Sequence, residues 1–423
     1  MADQEFNSHI SKIEVPGSAL NRHCLPDEKD YSDVSASGKE EVPPPAAVAA
    51  SAAVCHRDTL YDCHADAEKP LGCSFHGDST LQPGQPTWFK QVFSPRLAEL
   101  QLEGVNLRPL PFEEDASDAA HGKNKLQTSL WRNMATDVSG GCRRLISGTA
   151  QQIGAINLVA RNAPNFGPLC DIFVQALGAS LLAKTPLSIP PILLLGPPGI
   201  GKTHVSTAIA NALDTAAVTL SMTTITAVNP LGGTALVWRD AKPGLVAKAL
   251  MEGKTASPVF ILDEMDKAYH QAGEADPLAP LHVFLEAQTA GSFRDEFLDV
   301  PVAADALIWI ATANSLASIA PSIIDRMLVL QIPAPDCGQM RAVIAAIFAA
   351  AIATYFGWFD PVLSPLLLDQ LAKIHPRQVK RVLALACQRA ASQGNRELTT
   401  ADIEAALSLV GHVELSRRAG FLA

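Results

Sequence analysis

Charged residues are scarce in this 423-residue chain: 18%, against 48% apolar. Most of it therefore has the means to bury a core, and two or three domains are expected. Cations are in the minority, with 33 Lys and Arg facing 43 Asp and Glu for a formal net charge of −10. That deficit weighs against broad nucleic-acid binding, which neutralises phosphates with Lys and Arg. No basic-then-apolar leader opens the chain; MADQEFNSHI is acidic and polar, which argues against a secretory signal. Uninterrupted apolar runs are lacking too. Thr215–Trp238 is broken by Asn229-Pro230 and Gly232-Gly233, and Ala342–Phe359 is Ala-rich and near the lower length limit for a span. The second run reads as a buried helix, so no membrane partner is expected. Cysteine is sparse and unpatterned: eight residues with no secretion signal point to reduced thiols in a cytoplasmic protein.

Sustained periodicity is absent from residues 1–85, which include the low-complexity run Glu40–Val54, EEVPPPAAVAASAAV. This stretch reads as a flexible tail. It holds Cys55, His56, Cys63, His64, Cys73 and His76. These are zinc-ligand types, but their spacing fits no two-plus-two finger, and solvated tail residues are the simpler reading. From Pro86 the texture changes. Trp88, Phe89, Val92 and Phe93 cluster, and residues 124–160 carry apolar positions at helical spacing in pieces. A small helical region over 86–185, ending in a helix over Asn165–Ala183, is expected.

What the chain does contain is Gly196–Thr203, GPPGIGKT. It follows the apolar run Ile192–Leu195 and opens into a segment with Val205, Ala208, Ile209, Ala212 and Leu213 on one face. Strand, glycine-rich turn, amphipathic helix is the context that a phosphate-binding loop requires. Glycines let the backbone approach a polyphosphate with its N–H groups aimed at the oxygens, and the helix adds the positive end of its dipole. The candidate nucleotide-binding residues are Gly196, Pro197, Pro198, Gly199, Ile200, Gly201, Lys202, Thr203 and His204. Lys202 would reach the β- and γ-phosphates of ATP, and Thr203 would hold Mg²⁺.

A second apolar run, Val259–Glu264 (VFILDE), ends in two carboxylates. It reads as a buried parallel strand that delivers Asp263 to the metal and Glu264 to an attacking water. Leu307–Asn314 (LIWIATAN) is a third strand, ending in an amide suited to aligning that water. Ile324-Asp325-Arg326 then precedes the apolar run Met327–Ile332. A guanidinium there is suited to stabilising charge on a transferring phosphoryl group, often from a neighbouring subunit. Taken alone, Asn314 and Arg326 read as ordinary structural residues. Their order after the first two motifs is what makes them informative.

That order resembles the Walker A, Walker B, sensor 1 and arginine-finger series of AAA+ ATPases. More narrowly, Asp263–Lys267 (DEMDK), Ser292–Pro301 (SFRDEFLDVP) and Ile310–Asn314 (IATAN) resemble the ATPase module of Lon proteases, over roughly residues 190–410. The resemblance implies an α/β fold, an AAA+ parallel sheet with flanking helices followed by a small helical lid. It implies ATP and Mg²⁺ as cofactors, a homo-oligomeric and hexameric ring, and a polypeptide substrate. Lon-type modules carry an aromatic residue shortly before a Pro-Gly on a loop facing the pore. Here Val237–Gly244 (VWRDAKPG) puts Trp238 at that position, although Arg239 and Asp240 depart from the small apolar neighbours usual in Lon. Phe293-Arg294 falls where a second pore loop lies. Arg377 matches the lid arginine called sensor 2, preceded by His-Pro where Lon-like sequences have Gly-Val or a similar pair.

The expected organisation is a tail at 1–85, a helical N-terminal region at 86–185, the AAA+ core at 186–333, the lid at 334–412 and a C-terminal tail at 413–423. After Ala423 no room remains for a Ser–Lys peptidase, so the resemblance implies the motor, with any cutting left to a separate partner. The leading expectation is an ATP-driven remodeller or unfoldase without its own peptidase. A nucleotide-dependent switch or assembly factor that gates a partner without threading is the alternative. A DNA-loading ATPase comes third, disfavoured by the charge.

Overall fold

Short apolar runs, each ending in Gly, Asp, Asn or a polar turn, assemble into one parallel sheet. The computed structural model describes residues 60–62, 87–107, 118–224, 229–238, 241–268 and 276–419. The sheet strands are β1 (Ile192–Leu195), β2 (Ala217–Ser221), β3 (Val259–Asp263), β4 (Ile308–Ala313) and β5 (Leu328–Gln331). Their spatial order is β5-β1-β4-β3-β2, every neighbouring pair parallel. The three central strands are almost wholly buried because both faces are covered, which is why they read as unbroken apolar runs.

Alternate side chains enter two different cores, as the two-residue period of a strand demands. Leu193, Phe260, Leu262, Trp309 and Ala311 point into one; Ile192, Leu194, Ile261, Ile308 and Ile310 point into the other. The second core is closed by helices Ala150–Asn162, Gly167–Ala183 and Lys202–Ala212. Pro164–Ala183 is long and apolar enough to cross a membrane by length and composition. Its Leu169, Phe173 and Leu177 are fully buried against the sheet. Ala342–Phe359 begins inside helix Cys337–Ala353, whose Ile344 and Phe348 are buried in a third core.

The region at 86–185 departs from the expected helical preface in two ways. It contains strands: Leu60–Asp62, Trp88–Gln91 and Cys142–Arg144 form an antiparallel sheet, so part of the stretch read as tail is also extended. It is also continuous in packing with the main sheet. Val92, Phe93, Trp131, Met134 and Leu145 belong to the first core, while Ile156 and Phe166 belong to the second. The pattern of 88–93 is too short for periodicity to separate strand from helix; pairing with distant strands decides it. The cluster of Cys55, His56, Cys63, His64, Cys73 and His76 lies outside the described residues.

Arg143 is the main polar tie of this region. Its guanidinium is buried, donates to Leu250 O at 3.0 Å and Met251 O at 2.7 Å, and pairs with Asp137 at 3.1 Å. Burial raises the pKa of the Asp137 carboxyl, but hydrogen bonds from Arg143, Ser139 and the Gly141 N–H outweigh it, and the net shift is downward. Asp137→Ala leaves a buried guanidinium without its counter-charge and is expected to cost about 3 kcal/mol at pH 7. The sign follows from linkage. A carboxyl with a depressed folded pKa stabilises above its unfolded value, and that contribution is lost as pH falls through the folded one. The gap between wild type and variant in urea denaturation should therefore begin to narrow below about pH 4 and go on narrowing as pH falls toward the depressed folded value. A gap that does not narrow at all between about pH 5 and about pH 2 would contradict the pair as its source.

Residues 337–406 build the third, separate core from helices Cys337–Ala353, Pro365–Leu371, Pro376–Ser392 and Thr400–Ala419. Val379, Val382, Leu383, Ala386 and Ala390 line one face of the third of these helices. The first helix starts in a capping box of Asp336 and Gln339, satisfying N–H groups that a helix start leaves unpaired. Asn165 donates to Pro333 O at 3.1 Å, tying the segment that enters this bundle to the main sheet's helices.

Candidate active site

The turn after β1 has to be glycine for steric reasons. A Cβ on Gly196 would lie 2.2 Å from Ile332 O, because the chain leaving β5 runs directly alongside. Gly199 and Gly201 take φ of 82° and 102°, the left-handed region that side chains disfavour. Pro197 and Pro198 are exposed, and Ile200 is buried and anchors the loop. Helix Lys202–Ala212 starts directly behind, so its first N–H groups face the loop's mouth.

Lys202 is 8% exposed and its ammonium donates to three acceptors: Gly196 O at 2.6 Å, Pro197 O at 3.0 Å and Asn314 Oδ1 at 2.9 Å. Those are all the donors an ammonium has, so its burial is fully compensated. Burial lowers the Lys202 pKa, opposed by the nearby Asp266, Asp263 and Glu264 charges, with a net downward shift. The amide at the end of β4 and the lysine after β1 thus meet across neighbouring strands.

Asp263 ends β3 beside them. Its Oδ1 accepts from Thr203 Oγ1 at 2.6 Å and from Thr312 Oγ1 at 2.7 Å. Thr312 in turn accepts from the Glu264 N–H at 3.0 Å, so one buried hydroxyl fixes both acidic residues. Glu264 sits at φ 57°, ψ 49°, a left-handed conformation that costs a non-glycine residue about 1–2 kcal/mol. The turn directs its carboxylate away from the strand, where Oε1 pairs with Lys267 at 2.7 Å. Asp266 Oδ1 is buried with no hydrogen-bond partner. Thr203 and Asp263 offer hard oxygen donors, the chemistry Mg²⁺ selects, and that ion takes only one or two protein ligands beside phosphates and water. Among the described residues no group of three or more His, Cys, Asp and Glu could hold a metal, so any site of this kind needs a ligand's oxygens as well.

The structure bonds Gly196, Pro197 and Asn314 to Lys202, and Thr203 and Thr312 to Asp263 with Glu264 beside them; Pro198, Gly199, Ile200 and Gly201 shape the loop between, and four expected residues lie outside both sets. His204 is exposed on the first turn of its helix. Arg326 is half-buried after helix Pro321–Ile324 and pairs with Glu286 at 2.6 Å. Arg377 is exposed in the first turn of Pro376–Ser392. Trp238 is 57% exposed, next to Val237 at 88%, on the segment that leads into helix Leu245–Glu252; Arg239 and Asp240 lie outside the described residues. Thr312, Lys267 and Glu286 are additions that sequence reading missed. Only Thr312 left a signal, as the sole hydroxyl in an apolar strand.

Residues 192–333 match the profile of the family described as "ATPase family associated with various cellular activities (AAA)". The mitochondrial Lon protease homolog of Saccharomyces cerevisiae is 36% identical over 141 residues, 33% of this chain and 12% of that protein. The Lon protease of Cytophaga hutchinsonii is 34% identical over 154 residues, 36% of this chain and 19% of the relative. That of Borrelia duttonii is 37% identical over 141 residues, 33% and 17% respectively. The matched stretch thus spans less than a fifth of each of these relatives. The stretch that matches the AAA family runs from the first to just past the last strand of the parallel sheet, and the similarity to Lon proteases covers about a third of the chain.

Proposed function

We propose that this chain, with an AAA ATPase core similar to that of Lon proteases, hydrolyses ATP to remodel or unfold polypeptide in the cytoplasm. It would work as a ring of identical copies. Residues 186–333 serve as the motor core and 334–412 as its lid. The observation that carries the reading is a pair of hydrogen-bonded sets, Lys202 with Asn314 and Thr203 with Asp263, Thr312 and Glu264, side by side at the carboxyl ends of three adjacent strands.

Each member has a chemical task. Lys202 exchanges its carbonyl and amide acceptors for β- and γ-phosphate oxygens, while the N–H groups of Gly199–Thr203 cradle the rest of the chain of phosphates. Thr203 and Asp263 would hold Mg²⁺, which supplies charge neutralisation on the phosphates when bound. Asn314, released from Lys202, orients a water. Glu264, released from Lys267, accepts that water's proton as the oxygen attacks the γ-phosphorus and the bond to the β-phosphate oxygen breaks, giving ADP and phosphate. Arg326 of a neighbouring copy and Arg377 of the same chain's lid meet the charge on the transferring group. Trp238, large and exposed, grips extended polypeptide without reading its sequence, which fits a motor that handles varied substrates.

Steady-state ATP turnover with and without an unfolded model protein tests this. Turnover is expected to rise with polypeptide, and the rise to disappear in Trp238→Ala. Turnover that ignores polypeptide would remove threading and leave a nucleotide-gated assembly factor.

A further inference from the structure

Asp295 is the one fully buried carboxylate in SFRDEFLDVP, at 0% exposure, and it takes no part in the nucleotide cluster. Its Oδ1 accepts from the Phe297 N–H and the Leu298 N–H, both at 2.9 Å, which turns the chain after Phe293-Arg294. Its Oδ2 accepts from the Gly244 N–H at 2.8 Å, across the gap to the segment that carries Trp238. Glu296 N adds a bond to Gly232 O at 3.0 Å on the other limb of that segment. Thr234 N bonds Lys242 O at 3.0 Å and Leu245 N bonds Pro230 O at 3.0 Å, closing the stem. The approach is so close that a Cβ on Gly244 would lie 2.3 Å from Leu231 O. On the far side, Trp131 Nε1 donates to Leu298 O at 2.7 Å and Gln127 Nε2 donates to Phe297 O. An unbroken series of bonds therefore runs from helix Asp118–Ala135, through the peptides at 297–298 and the Asp295 carboxylate, to the stem beneath Trp238.

We infer that Asp295 is a positioning residue that fixes the Trp238 loop, and that Trp131 and Gln127 extend its grip to the N-terminal helix, so that helix, turn and loop move as one body. That the loop contacts polypeptide rests on the function proposed above; that Asp295 fixes it does not. Burial pushes the Asp295 pKa up, against the pull of its three N–H donors, and the net shift is upward. The group is held there at a cost, for the three bonds that it makes.

Asp295→Asn separates the two halves of this role. Its amide oxygen can still accept from Phe297 and Leu298, but its NH₂ group meets the Gly244 N–H donor to donor. Hydrogen exchange in the full chain is the readout. Amides of 229–238 and 241–246 are expected to exchange about tenfold faster, the effect of losing one buried hydrogen bond on local opening, while β1 and β3 keep their rates. Trp131→Phe, which removes the indole N–H together with part of the buried ring, should speed the same loop about threefold more than it speeds β1 and β3, although Trp131 is not part of the loop. A loop whose exchange is unchanged in Asp295→Asn overturns the assignment. So does equal acceleration in loop and sheet, the behaviour of an acid that merely supports the fold. Stimulation of turnover by unfolded protein is then compared between wild type and Asp295→Asn and should fall at least about fivefold. If wild type shows no stimulation, the threading reading fails, and the exchange result still decides the case of Asp295.

Discussion

Glu264→Gln is expected to lower steady-state ATP turnover by about two to four orders of magnitude, the range that general-base removal produces, while nucleotide still binds. Glutamine keeps the shape of the side chain and its left-handed turn but cannot take a proton. Nothing in Lys202, Thr203 or the loop amides changes, so affinity measured with a fluorescent ATP analogue should stay near wild type. The structure adds a second term. Glu264 is tied to Lys267 at 2.7 Å, so the proposed base is engaged elsewhere until that pair opens. The side chains are 33% and 47% exposed, so solvent screens the pair and it opens at small cost, within about 1 kcal/mol. Lys267→Ala should therefore leave turnover within about threefold of wild type. Turnover of Glu264→Gln close to wild type would assign the base elsewhere.

Arg326→Ala is expected to reduce turnover by about 10³-fold or more, the scale on which an arginine at a transferring phosphoryl group acts. Arg326 bonds Glu286 and Ser322 O, and neither is a member of the Lys202 or Asp263 sets. Its partner Glu286 is 44% exposed, so that pair too is readily exchanged for a stronger anion. If the arginine acts across a subunit boundary, mixing Arg326→Ala chains with Lys202→Ala chains should restore part of the turnover. Each mixed interface can pair an intact phosphate loop with an intact arginine. Loss without recovery on mixing would place Arg326 in its own chain's chemistry.

Both arguments start from residues that a reader can find in the one-dimensional chain, and that legibility has a cause. A phosphate loop is contiguous: Gly196, Gly199 and Gly201 meet backbone requirements set within eight residues, and Lys202 and Thr203 follow at fixed offsets on the first helical turn. A central parallel strand is buried on both faces, so VFILDE and LIWIATAN announce themselves as apolar runs with polar ends. The lid helices declare themselves by spacing, as Val379, Val382, Leu383 and Ala386 do.

Thr312, Asp295 and the region before residue 186 were not legible in the same way. Thr312 matters because β3 and β4 are neighbours in register, which brings its hydroxyl to residues 48 and 49 positions away. Asp295 is one of several acids in SFRDEFLDVP, and only the fold buries it while Glu296 and Asp299 stay exposed. Trp88–Gln91 is too brief to carry a period, and its extended form comes from pairing with Cys142–Arg144, more than fifty residues on.

Local backbone requirements and one-face periodicity thus mark the phosphate loop, the buried strands and the lid along the chain, because each is satisfied by neighbours in sequence. Which acid is clamped, which hydroxyl ties two acidic residues together and which core receives the N-terminal region depend on contacts between residues 48 to 167 positions apart. Such contacts form only when the sheet order is set, and that order follows from burying both faces of β1, β4 and β3 at once.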